Sequence, residues 1–166
     1  MSNWQGNLEI TFDHQDQKTW IEKCQSVAPL RIQKPFYPEG KSWVHSILLY
    51  TAGGMVGGDR LTINLDLKAE AKVLFTSATA AKIYRCPANI ASHHTRIHQQ
   101  QGSVLEWFPQ ETILFRDAQY SQSLRIELEQ NAICYGWDIY RFGRSARGEV
   151  FDGGAWRSRT EVWQNG

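Results

Sequence analysis

The segment Thr51-Ala52-Gly53-Gly54-Met55-Val56-Gly57-Gly58-Asp59-Arg60 is the most unusual stretch of the chain and the first that could carry chemistry. Its glycines open backbone conformations closed to other residues and let a second backbone approach closely. A carboxylate and a guanidinium follow at once. A phosphate cradle would need GxxxxGK[ST], or GxGxxG opening a helix whose N-terminus holds the anion. Neither pattern is present, and the residues that follow read as a strand. Two readings remain: a turn packed between layers, and a turn that also presents Asp59 to a partner or an ion.

Three imidazoles lie in Ser92-His93-His94-Thr95-Arg96-Ile97-His98. On a helix, His94 and His98 would share a face and could chelate a metal. On a strand they share a face but lie about 13 Å apart, too far for one ion. The flanking residues favour a polar surface strand. One functional alternative is a metal-dependent hydrolase or binding module of β-sandwich or cupin type, using His93, His94, His98 and a carboxylate. Such an enzyme needs a closed ligand set with one open position, and this spacing supplies it poorly.

Two further segments hold acids among bulky groups. Glu106 and Glu111 lie in Leu105-Glu106-Trp107-Phe108-Pro109-Gln110-Glu111-Thr112-Ile113-Leu114-Phe115. A carboxylate so placed faces solvent or is held by a partner charge. No histidine or nucleophile stands near them in a catalytic pattern. Asp138 and Glu149 lie in the run 136–151, where Arg141, Arg144 and Arg147 alternate with aromatics and glycines. That resembles a single-strand nucleic-acid surface only loosely.

These residues need a frame, and the dominant pattern is alternation. Leu8, Ile10 and Phe12 alternate with Glu9, Thr11 and Asp13. Apolar residues occupy every second position from Leu61 to Phe75, and Leu124, Ile126 and Leu128 repeat the pattern. Successive strand side chains point to opposite faces, so each run has one buried and one wet face. The run 61–75 is long for one strand and predicts a turn near Ala69-Glu70-Ala71. Further strands are expected over 27–33, 43–50, 94–98, 104–107, 132–138 and 156–163, with a closing turn at Gln164-Asn165-Gly166. Weak helical signals cover only 16–23 and 78–85. The expectation is one all-β domain over 1–166 with many short strands and few short helices; a sandwich, a barrel and a β-helix-like or stacked-sheet architecture all fit this pattern. The strand near the end would present an unpaired edge, as in a β domain truncated at its C-terminal side.

Composition narrows the functional classes. Lys and Arg number 18 against 17 Asp and Glu, a net charge of +1, which gives no footprint for nucleic acid or anionic membrane. No apolar run is long enough to cross a bilayer, and the first residues do not resemble a signal peptide. A cytoplasmic location is the expectation. Cys24, Cys86 and Cys134 are scattered without a CxxC pair, so reduced and mostly buried thiols are expected. The aromatic share of 12% is high, and aromatics left at a surface often anchor protein interfaces.

Five segments, in order, resemble the urease accessory protein family UreD (UreH). Residues 29–40 resemble its opening motif. Gly53–Leu61 is similar to its GGxVGGDxL signature, and residues 76–85 to its TTPxAxKxYR stretch. Leu105–Phe115 is similar to LEWLPQExIxF, and residues 136–151 to GWExxxLGRxAxGExF. Ala78-Thr79 stands where Pro-Gly is usual, and Asp138 replaces the commoner Glu. Members of the family continue well beyond residue 166.

The resemblance implies a β-helix-like fold and no catalytic reaction. It also implies a complex with UreF-type and UreG-type accessory proteins on apo-urease, in which Ni²⁺ is passed to the metallocentre and no cofactor is held tightly. Ni²⁺ accepts carboxylate, imidazole and water ligands. Spaced carboxylates that leave it some water suit transit better than a closed cage. Asp59, Glu106, Glu111, Asp138 and Glu149, each at a motif position, are therefore the candidates to line a nickel passage.

Overall fold

The computed structural model describes residues 3–165. Its strands are β1 (Gln5–Gln15), β2 (Lys18–Val27), β3 (Leu30–Ile32), β4 (Trp43–Tyr50) and β5 (Arg60–Leu67). Next come β6 (Lys72–Ser77), β7 (Ala81–Ile83), β8 (Ala91–Gln99), β9 (Val104–Phe108) and β10 (Thr112–Leu114). The last are β11 (Gln119–Leu128), β12 (Ile133–Gly136), β13 (Tyr140–Phe142) and β14 (Ala155–Gln164). Among the described residues the only helical piece is a 3-10 turn, Ser145–Arg147.

The strands stack as a three-sided coil. One wall is a six-stranded sheet, β14-β11-β8-β5-β1-β2; a second is five-stranded, β12-β9-β6-β4-β3; the third is three-stranded, β13-β10-β7. From β5 onward the chain visits the walls in rotation, and each strand lies parallel to its counterpart one turn earlier. This is a parallel β-solenoid. Of the strands named above, only β2 and β3 run antiparallel, and both lie at the edge next to the start of the coil.

Period-two alternation becomes a stacked interior through the register. Ile10, Leu65, Ile97 and Ile126 sit side by side on successive strands, all buried. So do Phe12, Leu67 and Gln99. Each large apolar side chain buried this way contributes about 1.5–3 kcal/mol. A one-residue slip would turn a whole strand inside out, so the pattern fixes the register.

Some expectations need correction. Residues 16–23 are not helical. Asp16 and Gln17 take positive φ (51° and 62°) and form the tight turn between β1 and β2, the geometry that suits two-residue hairpins. Residues 78–85 hold strand β7, paired with β10. The expected strand over 27–33 is broken at Ala28-Pro29, because proline offers no ladder N–H. The turn near residue 70 is present, with Glu70 at φ 62° between β5 and β6. Strand β14 pairs with β11 on one side only among the described residues. Gly166, the end of the expected closing turn, lies outside the described residues. Cys24 is exposed rather than buried, and Cys86 and Cys134 are half-buried; all three are free thiols.

Candidate functional site

The glycine-rich segment is a turn packed against its neighbours. A Cβ on Gly57 would fall against the Asn89 carbonyl and the Cys86 sulfur, and Gly58 sits at φ +95°. Only glycine fits both demands. Asp59 then turns back into the protein and is 1% exposed. Its Oδ1 accepts the Trp4 N–H at 2.8 Å and its Oδ2 the Val56 N–H at 2.8 Å. The carboxylate closes the turn and ties it to the N-terminal segment, which is the packed-turn reading of the sequence.

The other four candidate acids fall in different places. Glu106 points outward from β9, between Leu74 of β6 and Tyr135 of β12. Glu111 lies at the entry to β10, half-buried, its backbone carbonyl accepting the Ala81 N–H. Glu149 is paired with Arg144 and accepts the Arg116 N–H at 3.2 Å. These contacts hold its carboxyl below the usual range, Arg144 contributing most. Asp138 lies between β12 and β13 and lines a cavity of about 80 Å³ inside the solenoid, together with Leu61, Ile63, His93, Trp107 and Gln122. The fold thus does not gather the five carboxylates. Among the described residues no three His, Cys, Asp or Glu side chains are arranged to hold a metal ion.

The interior around Asp138 is the most developed polar site. Trp107 Nε1 donates to Oδ1 at 3.3 Å and Gln122 Nε2 donates to Oδ2 at 3.2 Å. The Tyr120 hydroxyl donates to Gln122 Oε1 at 3.0 Å. Burial raises the Asp138 pKa, and the Trp107 hydrogen bond opposes that rise. Burial also pushes the Tyr140 phenol up to about 12, with Asp138 adding to it. The Tyr120 phenol is raised too, by burial first and by Tyr140 and Asp138 after it. Both phenols therefore remain protonated at neutral pH.

The histidines part company. On β8, His94 and His98 face outward, whereas His93 faces the cavity beside Gln122 in the ladder. A polar surface strand describes His94 and His98 but not His93. Burial, with His94 nearby, pushes His93 down to about 4. It is neutral at physiological pH and retains a lone pair. His94 Nδ1 is 2.8 Å from the Ser123 hydroxyl, and His98 is held between Asp66 (2.9 Å) and Glu129 (3.4 Å). The three imidazoles cannot share one metal ion, which removes the ligand set of the hydrolase reading.

Gln122, Tyr120 and Trp107 belong to this interior, and the sequence did not single out their polar groups. Gln122 breaks the inward apolar series of β11, and that break was the available signal. The arginines near the third wall are engaged with acids: Arg85 with Asp117, Arg116 with Asp152 and Arg144 with Glu149. Arg144 also lies over the Phe115 ring at 4.3 Å. These pairings leave little of a basic strip for nucleic acid. No helix among the described residues is long and apolar enough to cross a membrane.

The fold and this interior define a class: a parallel β-solenoid with a closed turn at Asp59 and a small, mostly apolar chamber that has His93, Gln122 and Asp138 in its lining. The chain belongs to the UreD urease accessory protein family, whose model matches residues 5–166. It is 50% identical to the urease accessory protein UreD of Picosynechococcus sp. over 162 residues, 98% of this chain and 57% of that protein. It is 49% identical to UreD of Nostoc sp. over 166 residues, 100% of this chain and 60% of that protein. The Thermosynechococcus vestitus protein of the same name is 45% identical, with 61% of its length covered. The chain therefore spans about three fifths of the length of these curated relatives.

Proposed function

We propose that this chain acts as a non-catalytic scaffold in urease maturation, holding a UreF-type protein, a UreG-type GTPase and apo-urease together while Ni²⁺ is delivered. The observation that carries this reading is the family match across residues 5–166. A cytoplasmic setting is part of the same proposal.

Nickel is cargo in this reading, and the interior chamber is where this chain's chemistry suits it best. Asp138 offers a carboxylate and His93 a neutral imidazole, two ligand types that Ni²⁺ accepts. Gln122 and Tyr120 supply polar groups for the water the ion keeps. A carboxylate or an imidazole together with retained water holds an ion weakly enough to release it. Asp59, Glu106, Glu111 and Glu149 remain candidates for contacts elsewhere on a route, each with the surroundings described above.

The test is urease activation by the full-length protein with its partner proteins, followed by nickel analysis of the purified urease. Omitting the protein should leave urease largely without nickel. Asp138→Ala should lower nickel content while the accessory complex still assembles. Urease that fills normally in the absence of the protein would end the scaffold reading. Normal filling with Asp138→Ala would remove Asp138 from the route.

A further inference from the structure

Strand β14 ends the six-stranded wall and pairs only with β11 among the described residues. The Ala155 N–H donates to the Ala118 carbonyl and the Asn165 N–H to the Leu128 carbonyl, both on the β11 side. Alternate residues of an extended strand direct their main-chain groups to opposite sides. Trp156, Ser158, Thr160, Val162 and Gln164 therefore turn N–H and C=O to the free edge. Such an edge is a template for another strand unless it is blunted, and residues 155–164 contain no proline and no lysine. The inner side of β14 is unfinished as well. Val162 continues the row of Ile97 and Ile126 yet is 62% exposed, and Trp156 continues that of Tyr120 yet is 37% exposed.

The outer side of β14 carries Arg157, Arg159, Glu161 and Trp163. Arg159 pairs with Glu161 of its own strand at 2.7 Å. On β11, Arg125 stands beside Glu161 and lies over the Trp163 ring at 5.0 Å, and Glu127 stands beside Trp163. A second copy added about a two-fold axis normal to the sheet runs antiparallel and keeps its interior on the same side. Residues directly opposite then share a face, so the axis must pass through a residue. Centred on Arg159 or on Glu161, a like charge meets itself. Centred on Ser158, Arg157 faces Arg159. Centred on Thr160, Arg159 of each copy faces Glu161 of the other, and Arg157 faces Trp163, a cation against an indole. Only this register keeps most of the strand paired with no like charges opposed.

We propose that the free edge of β14 binds a second copy of this chain, the two strands pairing antiparallel with Thr160 opposite Thr160. Thr160 exchanges main-chain hydrogen bonds with its counterpart, Ser158 with Val162, and Trp156 with Gln164. The two six-stranded walls become one continuous sheet, and Val162 gains a neighbour on its open side. The outer charges fix the register, because a shift by one residue either way sets like charges face to face. A strand that matches this edge by its own charges is what fits it to a copy of itself.

The experiment is sedimentation equilibrium of the purified 166-residue chain, wild type against Thr160→Pro, Arg159→Glu, Glu161→Arg and the double variant Arg159→Glu/Glu161→Arg. The wild type should be a dimer. Because the Thr160 N–H points away from β11, Thr160→Pro removes an edge donor and leaves the β11 ladder whole. It should raise the dissociation constant roughly tenfold or more while the far-UV circular dichroism spectrum stays that of the wild type. Arg159→Glu and Glu161→Arg each set like charges opposite one another and should weaken the dimer. The double variant exchanges the two charges and should recover it. A wild type that sediments as a monomer overturns the proposal, whatever else covers the edge. So does a dimer that none of the single variants weakens, since its interface then lies elsewhere. A double variant no tighter than the single charge variants overturns the Thr160-centred pairing.

Discussion

Gln122 donates to the Asp138 carboxylate across 3.2 Å, tying strand β11 of the six-stranded wall to the segment between β12 and β13. The same glutamine accepts from Tyr120, so one amide orders both a phenol and a carboxylate inside the solenoid. Neither neighbour is replaceable by water at no cost, because the site is largely closed to solvent.

Replacing Gln122 by leucine should expose how much the pair contributes. The Asp138 Oδ2 would lose its donor while remaining largely buried. A loss of about 1–3 kcal/mol is expected for a carboxylate left half satisfied. Asp138→Leu should remove much of that penalty when combined with Gln122→Leu, since no charge is then stranded. Urea unfolding of the two single variants and the double variant measures the coupling. Strictly additive losses would mean that the two side chains do not act together.

Asp59→Ala should weaken the fold rather than act only on metal. The change strips acceptors from the Trp4 and Val56 N–H groups at a position that is 1% exposed. The expected cost is roughly 2–4 kcal/mol for two hydrogen bonds to a charged acceptor. Asp59→Asn keeps one acceptor oxygen and should lose about half as much. Chemical denaturation reads both. A stable Asp59→Ala variant that fails only in nickel delivery would show that this carboxylate acts on the ion and not on the turn.

Most of the frame was legible because alternation is a local signal. Leu8, Ile63 and Leu124 each declare their inward face within a few residues, and the strands follow. What alternation cannot supply is the partner of each strand. That β8 lies between β5 and β11 depends on contacts far apart in sequence, and so the chamber was not visible. His93 looked like one of three surface imidazoles because its neighbours are polar. It faces inward because Thr95 and Ile97, in step with it, are buried. The segment 16–23 read as helical for want of a turn signal, since Asp16-Gln17 is a poorer match to such turns than Asn-Gly. Motif position drew attention to Asp59 and Asp138, yet it could not distinguish a carboxylate closing a turn from one lining a cavity.

Two glycines make a sharper comparison than either alone. Gly57 has no room for a Cβ, which would meet the Asn89 carbonyl, whereas Gly40 has open space but sits at φ +95°. Gly40→Ala should therefore cost only the left-handed backbone penalty, about 1–2 kcal/mol. Gly57→Ala must move backbone in the signature turn and should cost more, on the order of 3–5 kcal/mol. Melting temperatures of the two variants decide the order. Equal shifts would show that the turn yields easily and that close packing is not why glycine stands at position 57.

His93 should make the protein acid-sensitive in a window of its own. Its folded-state value is about 4, while an unfolded histidine titrates near about 6.5. Between those values the unfolded chain binds the extra proton and the folded chain does not, so stability falls as pH is lowered. Above the upper value this contribution is fully present. Asp13 and Glu127 also favour the folded state, their carboxyls lowered chiefly by hydrogen bonds from Lys68 and Arg96. Their contributions are lost only on passing below the ordinary carboxylate range, which separates the two effects. Urea midpoints at pH 7 and pH 5 should differ for the wild type, and His93→Asn should flatten that difference while leaving the loss below pH 4 in place. A wild-type midpoint that holds steady from pH 7 to pH 5 would mean that His93 takes up its proton in the folded state, with water reaching the chamber freely enough to solvate the charge.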